Sequence, residues 1–440
     1  MTRNIHFVGI GGVSMYTLAR LALNMGAAVS GSDRELSPRT EILSELGASV
    51  YVGHNCDNIG NASLVVYSHA IEEHNPELVC ARERGILTVN RAEYMGAMML
   101  DYRTRIGVSG SHGKSTTVAM LETIFSHARA NPTVLCGADL PSGDPLMIGD
   151  RGMMIYEACE YRDSFLRFLP TVAIALNLEL DHTDYFPDLS ALKESFVKAL
   201  SRAEQFAVIS GDDKNLQSIM PKISTDVISF GRGRDNIYRY DVTAFEEGNF
   251  LFDLYKFDNK IGSLQLNIPG VFNVHNASCA AVVALELGVD FETVRSAIAS
   301  FSGIPRRLEH LGEVYGRPLY YDYAHHPTEI RASLTALRGL TKGNITLLFK
   351  PHTYTRTISL WDELCGALSL ADYTVITDIY AAREEPIEGV NAHNLAQAIG
   401  PSAVYMSDSM AAEYILNKTD GAIVLMGAGD VTEIKRQLTR

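Results

Sequence analysis

Between Arg105 and Phe125 the chain runs from a short apolar piece, Ile106-Gly107-Val108, through Ser109-Gly110-Ser111-His112-Gly113-Lys114-Ser115-Thr116-Thr117, into an apolar-periodic segment with Met120, Leu121, Ile124 and Phe125 on one side. That order is strand, glycine loop, helix. Glycines let backbone N–H groups of such a loop turn inward around a phosphate, and the helix N-terminus that follows adds partial positive charge. Gly110, Ser111, His112, Gly113 and Thr116 then form the cradle, Lys114 reaches the β and γ phosphates, and the Ser115 hydroxyl serves Mg2+. Val108 stands where the usual spacing has a first glycine, so the cradle is a short one. A plain glycine turn with an exposed lysine is the alternative, and the surrounding sequence decides between them.

A length of 440 residues suits two or three domains, each with its own core. With 46% hydrophobic and 20% charged residues the composition is that of an ordinary globular protein. A formal net charge of -14 argues against a nucleic-acid or acidic-membrane surface, so an anionic ligand must be held by local groups. No apolar run approaches the roughly 18 residues of a membrane span, and Met1-Thr2-Arg3-Asn4 leads straight into a strand-like run, which predicts a cytoplasmic protein with no membrane insertion. The six cysteines lie far apart, without paired zinc spacing, and read mostly as buried thiols.

Taken in order, the apolar run His6 to Ile10 meets Gly9-Ile10-Gly11-Gly12-Val13-Ser14 and a helix through Met15, Leu18 and Leu21, and a second strand, Ala28 to Ser30, ends near Asp33. This is the pattern of a dinucleotide-binding turn with an acidic residue about 20 positions later for a ribose hydroxyl, except that Ser14 replaces the third glycine. The α/β rhythm continues through Ser63 to Ser68, Gly85 to Val89 and a helix from Arg91 to Met99. After the phosphate loop, the strand Gly152 to Tyr156 ends in Glu157-Ala158-Cys159-Glu160, and Val172 to Leu176 ends in a second acidic stretch from Asn177 to His182. Carboxylates at the carboxyl ends of parallel strands beside a phosphate loop are where such a site keeps its Mg2+ ligands. Residues 226 to 268 alternate as an antiparallel section with a turn at Asp258-Asn259-Lys260. Asn273 and Asn276 then share one side of a helix, where they serve an adenine edge or cap the helix. Polar loops follow further strands at Asp322-Tyr323-Ala324-His325-His326-Pro327-Thr328-Glu329 and at Lys350 to Arg356. The adjacent histidines lack a third metal ligand at a convincing spacing, which favours hydrogen-bonding roles.

The motifs His6 to Gly12, Gly110 to Thr117, Glu157 to Glu160, Asn177 to His182, Asp322 to Glu329 and His352 to Arg356 together resemble the Mur ligase family over nearly the whole chain, and the last two resemble its alanine-adding branch. The resemblance implies three α/β domains: a Rossmann-like UDP-binding domain (1–103), a P-loop ATPase-like domain with an added antiparallel section (104–304), and a C-terminal Rossmann-like domain (305–440). It implies an ATP- and Mg2+-dependent enzyme that joins L-alanine to the lactyl carboxylate of UDP-N-acetylmuramate through an acyl phosphate, acting as monomer or homodimer. Carried over, Lys114 steadies the transferred phosphoryl group, Ser115 and Glu157 hold one Mg2+, and His182 a second. Asn273, Asn276, Arg307 and Asp322 fall at nucleotide-contacting positions. Gly11, Gly12, Ser14, Asp33 and Ser68 fall on the UDP-sugar side, and His325, His352 and Arg356 on the amino-acid side. Phe272, Cys159 and Thr353 depart from the residues usual at their positions. The alternatives are a tripeptide-recycling ligase of the same family and, more remotely, a nucleotide-dependent oxidoreductase suggested by Gly9 to Ser14 with Asp33.

Overall fold

The computed structural model describes residues 3–182, 185–246, 248–382, 384–428 and 431–439. Three α/β sheets follow one another along the chain. The first is built from β1 (Asn4–Val8), α1 (Val13–Asn24), β2 (Ala28–Asp33), α2 (Pro38–Glu45), β3 (Ser49–Val52), β4 (Leu64–Tyr67), α3 (Pro76–Glu83), β5 (Leu87–Asn90) and α4 (Arg91–Met98). Its strands are all parallel in the order β3-β2-β1-β4-β5, so the loops after β1, β4 and β5 share one edge. The chain enters α4 through a reciprocal cap: the Asn90 side chain accepts from the Glu93 amide at 3.0 Å, and the Glu93 carboxylate accepts from the Asn90 amide at 3.0 Å.

The second sheet comprises β6 (Thr104–Ser109), α5 (Lys114–His127), β7 (Thr133–Leu135), β8 (Leu146–Met147), β9 (Met153–Glu157), β10 (Val172–Ala175), α6 (Leu189–Leu200), β11 (Phe206–Ser210), α7 (Lys214–Ile219), β12 (Asp226–Gly231), β13 (Tyr238–Glu246), β14 (Asn249–Lys256) and β15 (Asn259–Leu266), followed by α8 (Val271–Glu286) and α9 (Phe291–Ser300). The strand order is β15-β14-β13-β12-β11-β10-β6-β9-β7-β8. From β6 the chain passes to β7, returns to β9 on one flank and crosses to β10 on the other. The carboxyl end of β6 is therefore a topological switch point, where an open α/β sheet leaves a crevice. Asp226–Gly231 corrects the expectation of an antiparallel section from residue 226: β12 is parallel to β11 and to β13, because the link between β11 and β12 carries α7 and so supports a crossover, whereas only two residues separate β14 from β15.

The third sheet holds β16 (Glu309–Val314), β17 (Arg317–Asp322), α10 (Pro327–Leu340), β18 (Ile345–Phe349), α11 (Tyr354–Ser359), α12 (Trp361–Leu368), β19 (Tyr373–Ile376), β20 (Ala403–Tyr405) and β21 (Ala422–Met426) in the order β16-β17-β21-β18-β19-β20, antiparallel only at β16 and β17. Both faces are covered: Ile345, Leu347 and Phe349 of β18 join one apolar cluster while Leu348 joins the other. This explains why four of its five residues are apolar on both faces, with Thr346 the exception.

The chain packs as two compact units, one formed by Met1–Asp241, Asp253–Ser263 and Asn276–Ile298, the other by Val242–Phe252, Leu264–His275 and Ala299–Arg440. In the first unit, Tyr94, Met95 and Met98 of α4 share one core with Tyr156, Phe165, Phe168 and Phe196. Cys136 and Cys279 are buried thiols and Cys159 and Cys365 half-buried ones, but Cys56 and Cys80 are joined by a disulfide, with Cα atoms 5.5 Å apart. Their separation of 24 residues hid this pairing; it arises where α3 packs on the turn at 56–59. No helix among the described residues is long and apolar enough to cross a membrane.

Candidate active site

The loop between β6 and α5 is held from below by the loop that follows β10. The Asn177 carboxamide accepts from the His112 amide at 2.8 Å and donates to the His112 carbonyl at 3.0 Å. The Ser111 hydroxyl accepts from the Glu179 amide at 2.9 Å and donates to its carbonyl at 3.1 Å, and the His112 ring meets the Glu179 carboxylate at 3.2 Å. Gly113 ends the loop in the left-handed region at φ +86°, and a Cβ there would stand 2.6 Å from Asn276 Oδ1. Any other residue would strain the backbone and collide with that carboxamide. The structure thus brings Gly110, Ser111, His112, Gly113 and Asn276 together.

Lys114, the first residue of α5, turns back over the loop to the carbonyls of Gly110 and Ser111 and to Glu160 Oε2, the last at 3.5 Å. Burial would lower its pKa, but Glu160, Cys159, Glu157 and Asp181 together raise it, so the ammonium stays charged. Ser115 donates to Glu157 Oε1 at 2.7 Å, and Glu157 Oε1 also accepts from the Gly137 amide at 2.6 Å. His182 sits at φ +55°, with Nε2 3.8 Å from Glu160 Oε1 and its ring 4.7 Å from that of Tyr161. A hydroxyl and a carboxylate converging at hydrogen-bond distance form a hard, all-oxygen donor pair of the kind Mg2+ takes, so Ser115 and Glu157 fit that ion; His182 adds a softer donor beside Glu160. Glu160, which contacts both Lys114 and His182, was not singled out from the sequence. It enters the sequence reading only as the last residue of the Glu157–Glu160 motif, with no role of its own.

At the edge of the first sheet, the Gly11 amide donates to Asp33 Oδ2 at 2.7 Å, and Asp33 thereby closes the glycine turn. Gly12 is the N-cap of α1 and Ser14 lies in its first turn. Ser68, at the end of β4, is a near neighbour of Gly9, with its Oγ 3.8 Å from where a Cβ on that glycine would lie. Gly11, Gly12, Ser14, Asp33 and Ser68 therefore gather at one carboxyl edge.

The remaining candidates lie in the second unit. Asn273 Nδ2 donates to the Pro269 carbonyl at 2.7 Å and so fixes the entry to α8. Asp322 ends β17 nearly buried; burial pushes its carboxyl up to about 6 against the opposing Ser333 hydroxyl, Arg307 guanidinium and Ala324 amide. Arg307 stacks on the Tyr323 ring with its Cζ 5.2 Å from the centroid and lies 4.0 Å from Glu329 Oε1. His325 Nδ1 lies 3.0 Å from the Tyr323 carbonyl, and the His325 and His352 rings are 5.8 Å apart. Arg356 Nη1 meets His352 Nδ1 at 3.0 Å. Thr353 precedes α11 at φ +61°, a costly conformation for a β-branched residue, held by its amide on the Tyr380 carbonyl (2.9 Å) and by Thr357 Oγ1 on its own carbonyl (2.7 Å). Arg383, an alternative carboxylate clamp, lies outside the described residues.

Three family models match the chain in succession: "Mur ligase family, catalytic domain" over residues 4–103, "Mur ligase middle domain" over 108–284, and "Mur ligase, glutamate ligase domain" over 306–429. The chain is 39% identical to the UDP-N-acetylmuramate--L-alanine ligase of Caldicellulosiruptor bescii over 97% of its own length and 96% of the relative's. It is 41% identical, at the same coverage, to the ligase of that name from Caldicellulosiruptor saccharolyticus. Among solved structures, the UDP-N-acetylmuramate-alanine ligase of Thermotoga maritima superposes with a TM-score of 0.84 at 27% identity, covering 99% of this chain and 98% of that one. A murein peptide ligase of Psychrobacter arcticus shares the fold, with a TM-score of 0.73 at 24% identity and the same coverage. Glycine loops, strand-end carboxylates and full-length similarity agree, and the chain belongs to the Mur ligase family.

Proposed function

We propose that this protein uses ATP to join L-alanine to the lactyl carboxylate of UDP-N-acetylmuramate, releasing ADP and phosphate. The observation that carries the reading is the convergence of Lys114, Ser115, Glu157, Glu160 and His182 at the carboxyl ends of β6, β9 and β10. It stands in a chain aligned end to end with ligases of that name.

A carboxylate is a poor electrophile toward an amine. One of its oxygens attacks the γ-phosphorus of ATP, the bond to the β-bridging oxygen breaks, and ADP leaves an acyl phosphate. The neutral amine of alanine then adds to the activated carbonyl, the tetrahedral adduct expels phosphate, and the nitrogen loses its extra proton to solvent. Little covalent chemistry falls to the protein, which works by positioning and charge. The loop amides from Gly110 to Thr116 cradle the phosphates, and the Lys114 ammonium leaves its carbonyl contacts to follow the transferred group. Ser115 and Glu157 would hold one Mg2+ and His182 a second, supplying positive charge where phosphoryl charge builds up. Asn273, Asn276, Arg307 and Asp322 contact the nucleotide, and Arg356 with His352 and His325 receives the amino acid. In this reading residues 1–103 bind the UDP sugar, 104–304 the ATP and 305–440 the alanine.

Phosphate release with UDP-N-acetylmuramate, measured against single amino acids, the L-alanyl-γ-D-glutamyl-diaminopimelate tripeptide and NAD, tests the reading. L-alanine alone should support rapid release. A preference for the tripeptide would move the protein to the recycling branch, and redox turnover of NAD would remove it from ligase chemistry.

A further inference from the structure

The first sheet carries a second set of groups at its edge that no motif drew attention to. His69 follows β4 and Arg91 follows β5, next to each other in the strand order β1-β4-β5. Helix α4 lies directly on the segment Tyr161–Arg167: a Cβ on Gly96 would overlap the Arg167 carbonyl, and Arg167 pairs with Glu93 at 3.7 Å. Arg91 is the first residue of α4, and Glu157 and Cys159 at the end of β9 act electrostatically on it. Arg162 lies within electrostatic reach of His69, as Arg91 does. It is held there by paired left-handed residues, Arg162 at φ 51° and Asp163 at φ 55°, the second anchored by the hydroxyls of Tyr185 (2.8 Å) and Ser195.

Glu157 is engaged by Ser115 and the Gly137 amide, and Glu93 by Arg167 and its own cap. Among the described residues Arg91, half-buried, forms no ion pair. A guanidinium withdrawn from water without a fixed carboxylate is costly, and its natural partner is a ligand anion held with two hydrogen bonds. We propose that Arg91, supported by His69 and Arg162, is the subsite that grips the acceptor carboxylate of the UDP-sugar substrate and presents it to the γ phosphate. The proposal rests on the functional reading above. Two features favour the carboxylate over the diphosphate. Arg91 stands two strands from the Gly9–Ser14 turn, roughly 10 Å away at ordinary strand spacing, a gap bridged by a hexose ring with its ether arm. It also lies within electrostatic reach of Glu157, which pairs with Ser115 at the phosphate loop, and the reacting oxygen must lie near that loop.

The test is calorimetric binding of UDP-N-acetylmuramate and of UDP-N-acetylglucosamine, which lacks the lactyl ether, to the full-length protein and to Arg91→Met and Arg91→Lys. The wild type should favour the muramate by roughly 10- to 100-fold, the worth of a charged bidentate contact. Arg91→Met should abolish that preference while leaving UDP-N-acetylglucosamine and ATP affinities unchanged, and Arg91→Lys should restore part of it. In turnover, KM for UDP-N-acetylmuramate should rise and those for ATP and alanine should not. Equal weakening of both sugars would assign Arg91 to the diphosphate and overturn the proposal, as would no change in either. If wild-type protein binds neither sugar, the functional reading itself fails. Should Arg91→Met not melt cooperatively, Arg91→Lys and Arg91→Gln carry the comparison.

Discussion

Two glycine turns follow the first strand of two successive α/β sheets, and they are built differently. The turn after β1 is closed from within, its Gly11 amide taken by Asp33, and α1 begins with no charged residue in its first turn. The turn after β6 is pinned from outside by Asn177 and Glu179, and α5 begins with Lys114 and Ser115 facing Glu160 and Glu157. Strand, turn and helix are common to both. What separates the second turn from the first is the charge assembled around it: a lysine ammonium, carboxylates on the neighbouring strand ends, and a crevice at the switch point, the features the proposed phosphoryl transfer needs.

The largest expected effect is at Lys114. Lys114→Ala should lower turnover by roughly three orders of magnitude or more, in a protein that still melts cooperatively. Asp33→Asn in the other turn should raise KM for the UDP sugar and leave kcat nearly unchanged. Steady-state kinetics on both variants, with a melting curve for each, would break the comparison if the two changed the same constant.

A methyl group distinguishes the turns next. At Gly113 a Cβ meets Asn276 and a left-handed backbone, so Gly113→Ala should weaken ATP binding roughly 10- to 100-fold, in line with about 1–3 kcal/mol of strain. At Gly12, with φ -63°, the nearest atom to such a Cβ is the Gly9 carbonyl oxygen at 3.6 Å, and Gly12→Ala should be nearly neutral by the same titration.

Arg356 extends the contrast to the third sheet. Arg356→Ala should raise KM for L-alanine about tenfold or more without moving that for ATP, because ground-state binding of one substrate is removed. An unchanged alanine KM would shift the clamp to Arg306, Arg307 or Arg383.

The smallest effect is on pH dependence and sets the first sheet against the third. Burial opposes ionisation of Glu77, but donors from His6, Ser32 and Asn58 more than compensate and hold its carboxyl down at about 2, against an ordinary 4.5. Its contribution is present above pH 4.5 and is lost as pH falls toward 2. Asp322 is displaced upward, from 3.8 to about 6, so its cost is absent below pH 3.8 and develops as pH rises through 6. Hydrogen exchange measured from pH 6 down to 3 should show amides around Glu77 losing protection while those around Asp322 gain it. Parallel behaviour would contradict the assignment.

Much of this was legible because it is contiguous. The loop from Gly110 to Thr117 and the strand ends at Glu157 and His182 carry their chemistry in runs of a few residues. What stayed hidden depends on distant segments meeting. The partners of Lys114 and His182 at Glu160, the Cys56–Cys80 pair, and the packing of α4 on Tyr161–Arg167 are set by contacts between elements many residues apart. The parallel direction of β12 was obscured for a related reason: alternation reports which side chains face the core, and the crossover that sets strand direction lies in the connection.

The central claim is that the acceptor carboxylate itself attacks the γ phosphate. UDP-N-acetylmuramate carrying 18O in both lactyl carboxylate oxygens, turned over with ATP and L-alanine, tests this directly by mass spectrometry of the products. The account predicts ADP together with inorganic phosphate bearing one 18O, the second label remaining in the new amide. Label recovered in AMP with release of pyrophosphate, or phosphate free of label, would contradict it.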